Sequence, residues 1–228
     1  MLQALKVLYY VAQSSILVPI AIGFWRRYVL SPALRIIFYC CLMWLVLGAS
    51  AEYAGKVWQY NIPIYDTIDI LEMWLVGVAY HRALRFKFRR YFLLIGFLYT
   101  AFALLDAFVL HGLWKPITYT IILRSALTIG LVMLYFEQTL RELRNIRLEQ
   151  DPLFMASIGL LLYDACSVYM FILRNNETNK IVSQQIESVN SFLTLLLYGL
   201  LARAFWLAGR KQEAALDLAS ISGGSDSR

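Results

Sequence analysis

Histidine is almost absent from this chain, with two in 228 residues. His81 and His111 fall at opposite ends of the apolar segments that hold them, so they cannot join one metal site, and zinc needs three or four protein ligands. That excludes seven-helix zinc hydrolases of the alkaline ceramidase and adiponectin receptor type. Cysteine is nearly as scarce, at three. Cys40 and Cys41 are adjacent and should point to different helix faces, and Cys166 lies in another apolar segment. No disulfide framework or metal spacing results, and all three read as small buried hydrophobes.

Other absences narrow the chemistry. There is no Gly-x-Ser-x-Gly, no phosphate loop and no His-Glu-x-x-His. No His is placed to act as a base beside a Ser or an Asp. Catalytic residues, metal ligands and cofactors are therefore not expected, although a carboxylate-only mechanism stays open. The last apolar segment reads Val189-Asn190-Ser191-Phe192-Leu193-Thr194-Leu195, with Lys180 only at its start. A retinal Schiff base has no lysine there.

Charge is low as well. Charged residues are 16% and hydrophobic ones 60%, with mean hydropathy +0.60. Soluble domains sit near 25% charged and 45–50% apolar. Fifteen Tyr, thirteen Phe and six Trp suit interfacial aromatic belts. The composition is that of an all-α polytopic membrane protein, with the lipid bilayer as its first partner. The net charge of +6 then needs no nucleic acid, because loop topology explains it.

Seven segments approach the roughly 20 apolar residues that cross a bilayer: 4–25, 34–56, 62–82, 91–111, 117–138, 153–173 and 182–206. Pro32, Pro63, Pro116 and Pro152 mark helix starts, where the missing N–H costs nothing. Pro19 lies inside the first segment and should kink it. That segment follows Lys6 but precedes Arg26 and Arg27 with no convincing cleavage site, so it reads as a retained helix. Residues 1–209 form one seven-helix transmembrane domain, and 210–228 a short cytoplasmic tail without structure. The fifth helix should extend through the mixed charges of 137–149. Gly48, Ala49, Ser50, Ala51, Ala54 and Gly55 give the second segment a small-residue face for close helix approach.

Orientation follows from Lys and Arg. Arg26, Arg27, Arg35, Arg82, Arg85, Lys87, Arg89, Arg90, Arg141, Arg144, Arg147, Arg203, Arg210, Lys211 and Arg228 fall on one side. Only Lys6, Lys56, Lys115, Arg174 and Lys180 fall on the other. The N-terminus is thus expected outside and the C-terminus in the cytoplasm, for a multi-pass protein of the inner (plasma) membrane.

Against this apolar background stand Asp66, Asp69 and Glu72, three residues apart on one helix face. An ionisable side chain within the bilayer is a functional-site hypothesis by default. At 1.5 Å per residue, Asp69 lies roughly 10 Å deep, Glu72 and Asp164 roughly 14 Å, Arg124 roughly 12 Å, and Glu187 and Asn190 roughly 8–13 Å. All fall in the outer half. Thr120, Arg124 and Thr128 share one face, as do Glu187, Ser191 and Thr194. A buried Arg needs a carboxylate, and Glu72 or Glu187 is the expected partner of Arg124. One arginine faces several acids, so protons, water, a cation or an amine-bearing ligand must compensate.

Two stretches carry a resemblance. They are Asn61-Ile62-Pro63-Ile64-Tyr65 with Glu72 seven residues on, and Asp151-Pro152-Leu153-Phe154 with Gly159 and Tyr163. Both resemble a largely uncharacterised family of small bacterial seven-helix integral membrane proteins, and Arg124 matches a basic position in the family's fifth helix. Asp66 and Asp69 depart from its pattern. The resemblance implies the seven-helix fold, weight on Glu72 and Arg124, and a sensor-like role by analogy.

The expected function is a receptor-like or sensory membrane protein. Its outward-facing polar pocket would take a small molecule or ion among Asp66, Asp69, Glu72, Arg124, Asp164, Glu187 and Asn190, and a separate partner would carry the signal. A small proton- or ion-coupled transporter is one alternative, although the inner halves look apolar. A structural subunit of a membrane complex is another.

Overall fold

The first segment breaks where its proline requires. In the computed structural model, α1 (Leu2–Ser14) and α2 (Leu17–Trp25) are separated by a turn at Ser15 and Ile16. Pro19 has no N–H to offer the Ser15 carbonyl four residues back. That carbonyl instead accepts from Val18, at 3.1 Å. The structure describes residues 2–84, 89–110, 118–142, 148–176 and 180–223. Arg85, Lys87, His111, Lys115, Pro116, Arg144, Arg147 and Arg228 lie outside them.

The remaining helices are α3 (Pro32–Val57), α4 (Ile62–Ala83), α5 (Arg89–Leu105), α6 (Thr118–Glu142), α7 (Pro152–Asn176) and α8 (Lys180–Gly223). No strand occurs among the described residues. Pro32 opens α3 and Ser31 caps it, accepting from Leu34 N at 3.4 Å. Pro152 opens α7, where Asp151 accepts from Leu153 N at 3.3 Å and from the Tyr135 hydroxyl at 3.0 Å. One carboxylate thus caps α7 and ties it to α6. Gln59, just past the end of α3, has φ 56°, the left-handed conformation that a helix C-terminus commonly adopts.

Three boundaries differ from the sequence reading. α5 passes into a π-helical turn, Asp106–Leu110. α6 runs on past the fifth apolar segment to Glu142, and Leu148–Gln150 form a 3-10 turn where the expected extension through 149 requires α-helix; residues 143–147 lie outside the described residues. The backbone of α8 stays helical past Arg210 to Gly223, through a run of helix-favouring Lys, Gln, Glu, Ala and Leu.

Among the described residues, six spans are long and apolar enough to cross a membrane: Val7–Trp25, Pro32–Val57, Tyr91–Val109, Tyr119–Arg141, Pro152–Met170 and Gln185–Arg210. α4 has the length, but Asp66, Asp69 and Glu72 keep it out of this set. Large apolar side chains such as Phe97, Phe108 and Val109 face outward, as lipid contact requires.

α3 packs chiefly on α4, and α7 on both α6 and α8. The small face of α3 is narrower than its composition suggests. Ala51 and Ala54 are buried, while Gly48 faces open space. Tighter contact occurs between α4 and α5. A Cβ on Gly96 would lie 2.7 Å from the Trp74 ring, which is pinned by its indole N–H donating to Thr100 Oγ1 at 3.0 Å.

Core and polar residues occupy opposite halves of the bundle. The apolar core takes Leu34, Ile37 and Phe38 from the start of α3, and Val76, Ala79 and Tyr80 from the end of α4. It adds Val132, Ala156, Leu160, Leu201 and Phe205. These positions share the end away from the N-terminus. Glu72, Asp106, Thr120, Arg124, Ser125, Thr128 and Asp164, also buried, gather in the other half, while buried Ser157 stays with the core and accepts from the Tyr80 hydroxyl at 2.8 Å.

Candidate functional site

Arg124 sits on α6, one turn past Thr120, on the inward stripe expected from sequence. Thr120, Arg124 and Thr128 are all buried, with Arg124 5% exposed. A guanidinium there needs acceptors, and three carboxylates supply them. Arg124 Nη1 donates to Glu72 Oε2 on α4. Arg124 Nε lies 3.6 Å from Asp69 Oδ1, one turn earlier on α4, and Nη2 lies 3.6 Å from Asp164 Oδ1 on α7. Ser125 Oγ donates to Asp164 Oδ1 at 3.0 Å. One basic residue therefore clamps α4, α6 and α7 together.

Of the two carboxylates expected to pair with Arg124, the structure selects Glu72. Glu187 is exposed on α8 and makes no ion pair with Arg124. It lies instead at the rim of a cavity of about 200 Å³, with Asp69, Arg124, Tyr163, Ser167 and Asn190. Asn190 is exposed as well. Asp66 is half-buried on α4, outside the ion pairs of Arg124, and has an interaction of its own. Asp106, fully buried, accepts from Thr120 N at 3.0 Å and Thr120 Oγ1 at 2.8 Å. It steadies the start of α6 and so the height of Arg124.

A second cavity, of about 320 Å³, has Glu72 in its wall. Tyr9, Gln13 and Tyr65 line it toward the N-terminal end, and Ile37, Cys40, Val76, Leu160 and Leu201 toward the apolar core. Trp44, Tyr163 and Asn190 border both cavities. The sequence reading missed Trp44 and Tyr198, having assigned aromatics to the interfaces, and named Tyr163 only within the second motif of the resemblance. Their signal was position, since Trp44 and Tyr198 fall well inside their helices. Cys40 and Cys41 both line this cavity, although adjacent helix residues were expected to diverge.

Among the described residues, two buried polar atoms, Arg124 Nε and Ser167 Oγ, make no hydrogen bond of good geometry, although Nε lies 3.6 Å from Asp69 Oδ1 and the Ser167 hydroxyl neighbours the Tyr163 phenol. Both belong to residues that line the smaller cavity. Among the described residues no group of three or more His, Cys, Asp or Glu is placed to hold a metal ion. The arrangement sets fixed charge beside apolar cavity walls. The likeness noted at Asn61–Tyr65 and Asp151–Phe154 rests on those short motifs alone, for in comparisons with known proteins the chain matches no family model, no curated protein and no solved structure.

Proposed function

We propose that this chain is a receptor-like, sensory integral membrane protein with an outward-facing polar pocket, signalling through a separate partner. The observation that carries the reading is Arg124. It is buried, ion-paired to three carboxylates, lines the smaller cavity, and leaves its Nε short of a hydrogen bond, 3.6 Å from Asp69 Oδ1. A network built for packing alone would close its hydrogen bonds, because an unmet buried donor costs roughly 1–3 kcal/mol.

In this reading α4 is the seventh span. Its acids disqualify it by composition, yet two of them meet Arg124 inside the bundle, so their charge is not presented to lipid. Seven spans put the termini on opposite sides. The Lys and Arg bias then puts the N-terminus outside and the C-terminus in the cytoplasm, at the plasma membrane. The cavity walls come from helices that also build the apolar inner half, so a ligand that repositions α8 would alter its cytoplasmic end.

The test is thermal unfolding of the purified full-length protein against a library of small metabolites and ions. A ligand that binds only the native state raises the apparent melting temperature. Saturable stabilisation that disappears in Arg124→Gln supports a pocket. No stabilisation across the library, together with pH-gradient-driven uptake into proteoliposomes, would replace this reading with a transporter.

A further inference from the structure

We propose that the larger cavity takes a small amphiphilic amine, with its ammonium head at Glu72 and its apolar body against the inner core. The inference deepens the pocket reading above and rests on it. Glu72 spends one carboxylate oxygen, Oε2, on Arg124. No other hydrogen bond to its carboxylate occurs among the described residues, and the residue forms part of the cavity wall. Glu72 therefore brings an oxygen with accepting capacity to the wall of a space of about 320 Å³, at the small end of the range for organic ligands.

Charge points the same way. Arg124 provides one positive charge among Asp69, Glu72 and Asp164, so a cation reduces the excess of negative charge where an anion would add to it. The rings of Trp44, Tyr163 and Tyr198 border the same space. Aromatic faces attract ammonium groups, more strongly once water is excluded. Below them Ile37, Val76, Leu160 and Leu201 offer only hydrocarbon. A bare inorganic cation would leave that floor unused, whereas a short alkyl or aryl chain fills it.

The experiment compares three probes of equal length on the full-length protein: hexylammonium, hexanol and hexanoate. Thermal unfolding is followed in the wild type, in Glu72→Gln and in Thr194→Leu, which adds bulk to the cavity wall without touching the ion pairs. Hexylammonium should raise the apparent melting temperature of the wild type saturably, by roughly a few degrees. Both variants should lose the shift, and the other two probes should give none. If Glu72→Gln does not fold, Thr194→Leu decides alone. Equal stabilisation by hexanol, or stabilisation by hexanoate only, overturns the amine and leaves a pocket standing. A hexylammonium shift that survives in both variants places its site elsewhere and overturns the proposal. Failure of all three probes overturns the amine, and silence across the wider library as well removes the pocket reading with it.

Discussion

Arg124 on α6 and Glu72 on α4 form a buried ion pair, with 6% and 11% of their side chains exposed. The two residues are 52 positions apart in the chain. Asp69 and Asp164 close around the same guanidinium, so the pair is the centre of a three-helix clamp. Between helices in lipid there is no hydrophobic drive to association, and packing and polar contacts must supply it.

Removing the guanidinium should therefore be costly. Arg124→Ala leaves three carboxylates in the bundle without their cation, and breaking a buried pair from one side costs about 3–5 kcal/mol. The expected result is a large fall in unfolding temperature or loss of folded protein on size-exclusion chromatography. Arg124→Gln combined with Glu72→Gln should recover part of that loss, because contacting residues couple. A double variant as unstable as the sum of the singles would show that the pair is not the clamp.

Ser125 offers a milder perturbation of the same network. Its hydroxyl donates to Asp164 from a fully buried position. Ser125→Ala should destabilise by about 1–3 kcal/mol, the cost of stripping a donor from a buried acceptor. Ser167→Ala removes a hydroxyl that makes no hydrogen bond of good geometry and should change stability much less. Equal losses in the two variants would contradict this assignment of bonds.

The α4–α5 contact should tolerate no added carbon at Gly96. Its Cβ would sit 2.7–3.1 Å from three atoms of the Trp74 ring, and the Trp74–Thr100 hydrogen bond resists the ring moving aside. Gly96→Ala should cost about 1–3 kcal/mol through overpacking, read as a lower melting temperature. Gly130→Ala, where nothing lies within 4 Å, should have no such penalty.

Much of the fold was legible because helix length and breaker chemistry are local. Pro19 announced the break at Ser15, and Pro32 and Pro152 announced the starts of α3 and α7. Face periodicity correctly grouped Thr120, Arg124 and Thr128, since a 3.6-residue repeat fixes which residues share a side. It does not say what that side meets. Glu187 looked as good a partner for Arg124 as Glu72 because both are acids at similar depth. Only packing put Glu72 against the guanidinium and left Glu187 at a cavity rim. Trp44 and Tyr198 were hidden for the same reason, as an aromatic inside an apolar run looks alike whether it faces lipid, core or cavity. The span count was least secure at α4, where the composition that disqualifies the helix is also what builds the site.

The central claim is a chamber open to the outside, and accessibility at Glu187 tests it most directly. With Cys40, Cys41 and Cys166 replaced by alanine, Glu187→Cys should react with a membrane-impermeant maleimide applied to intact cells. Ser157→Cys, in the opposite half, should stay unlabelled under the same conditions. Labelling of Glu187→Cys only after the membrane is permeabilised would contradict an outward-facing pocket and reverse the orientation of the bundle.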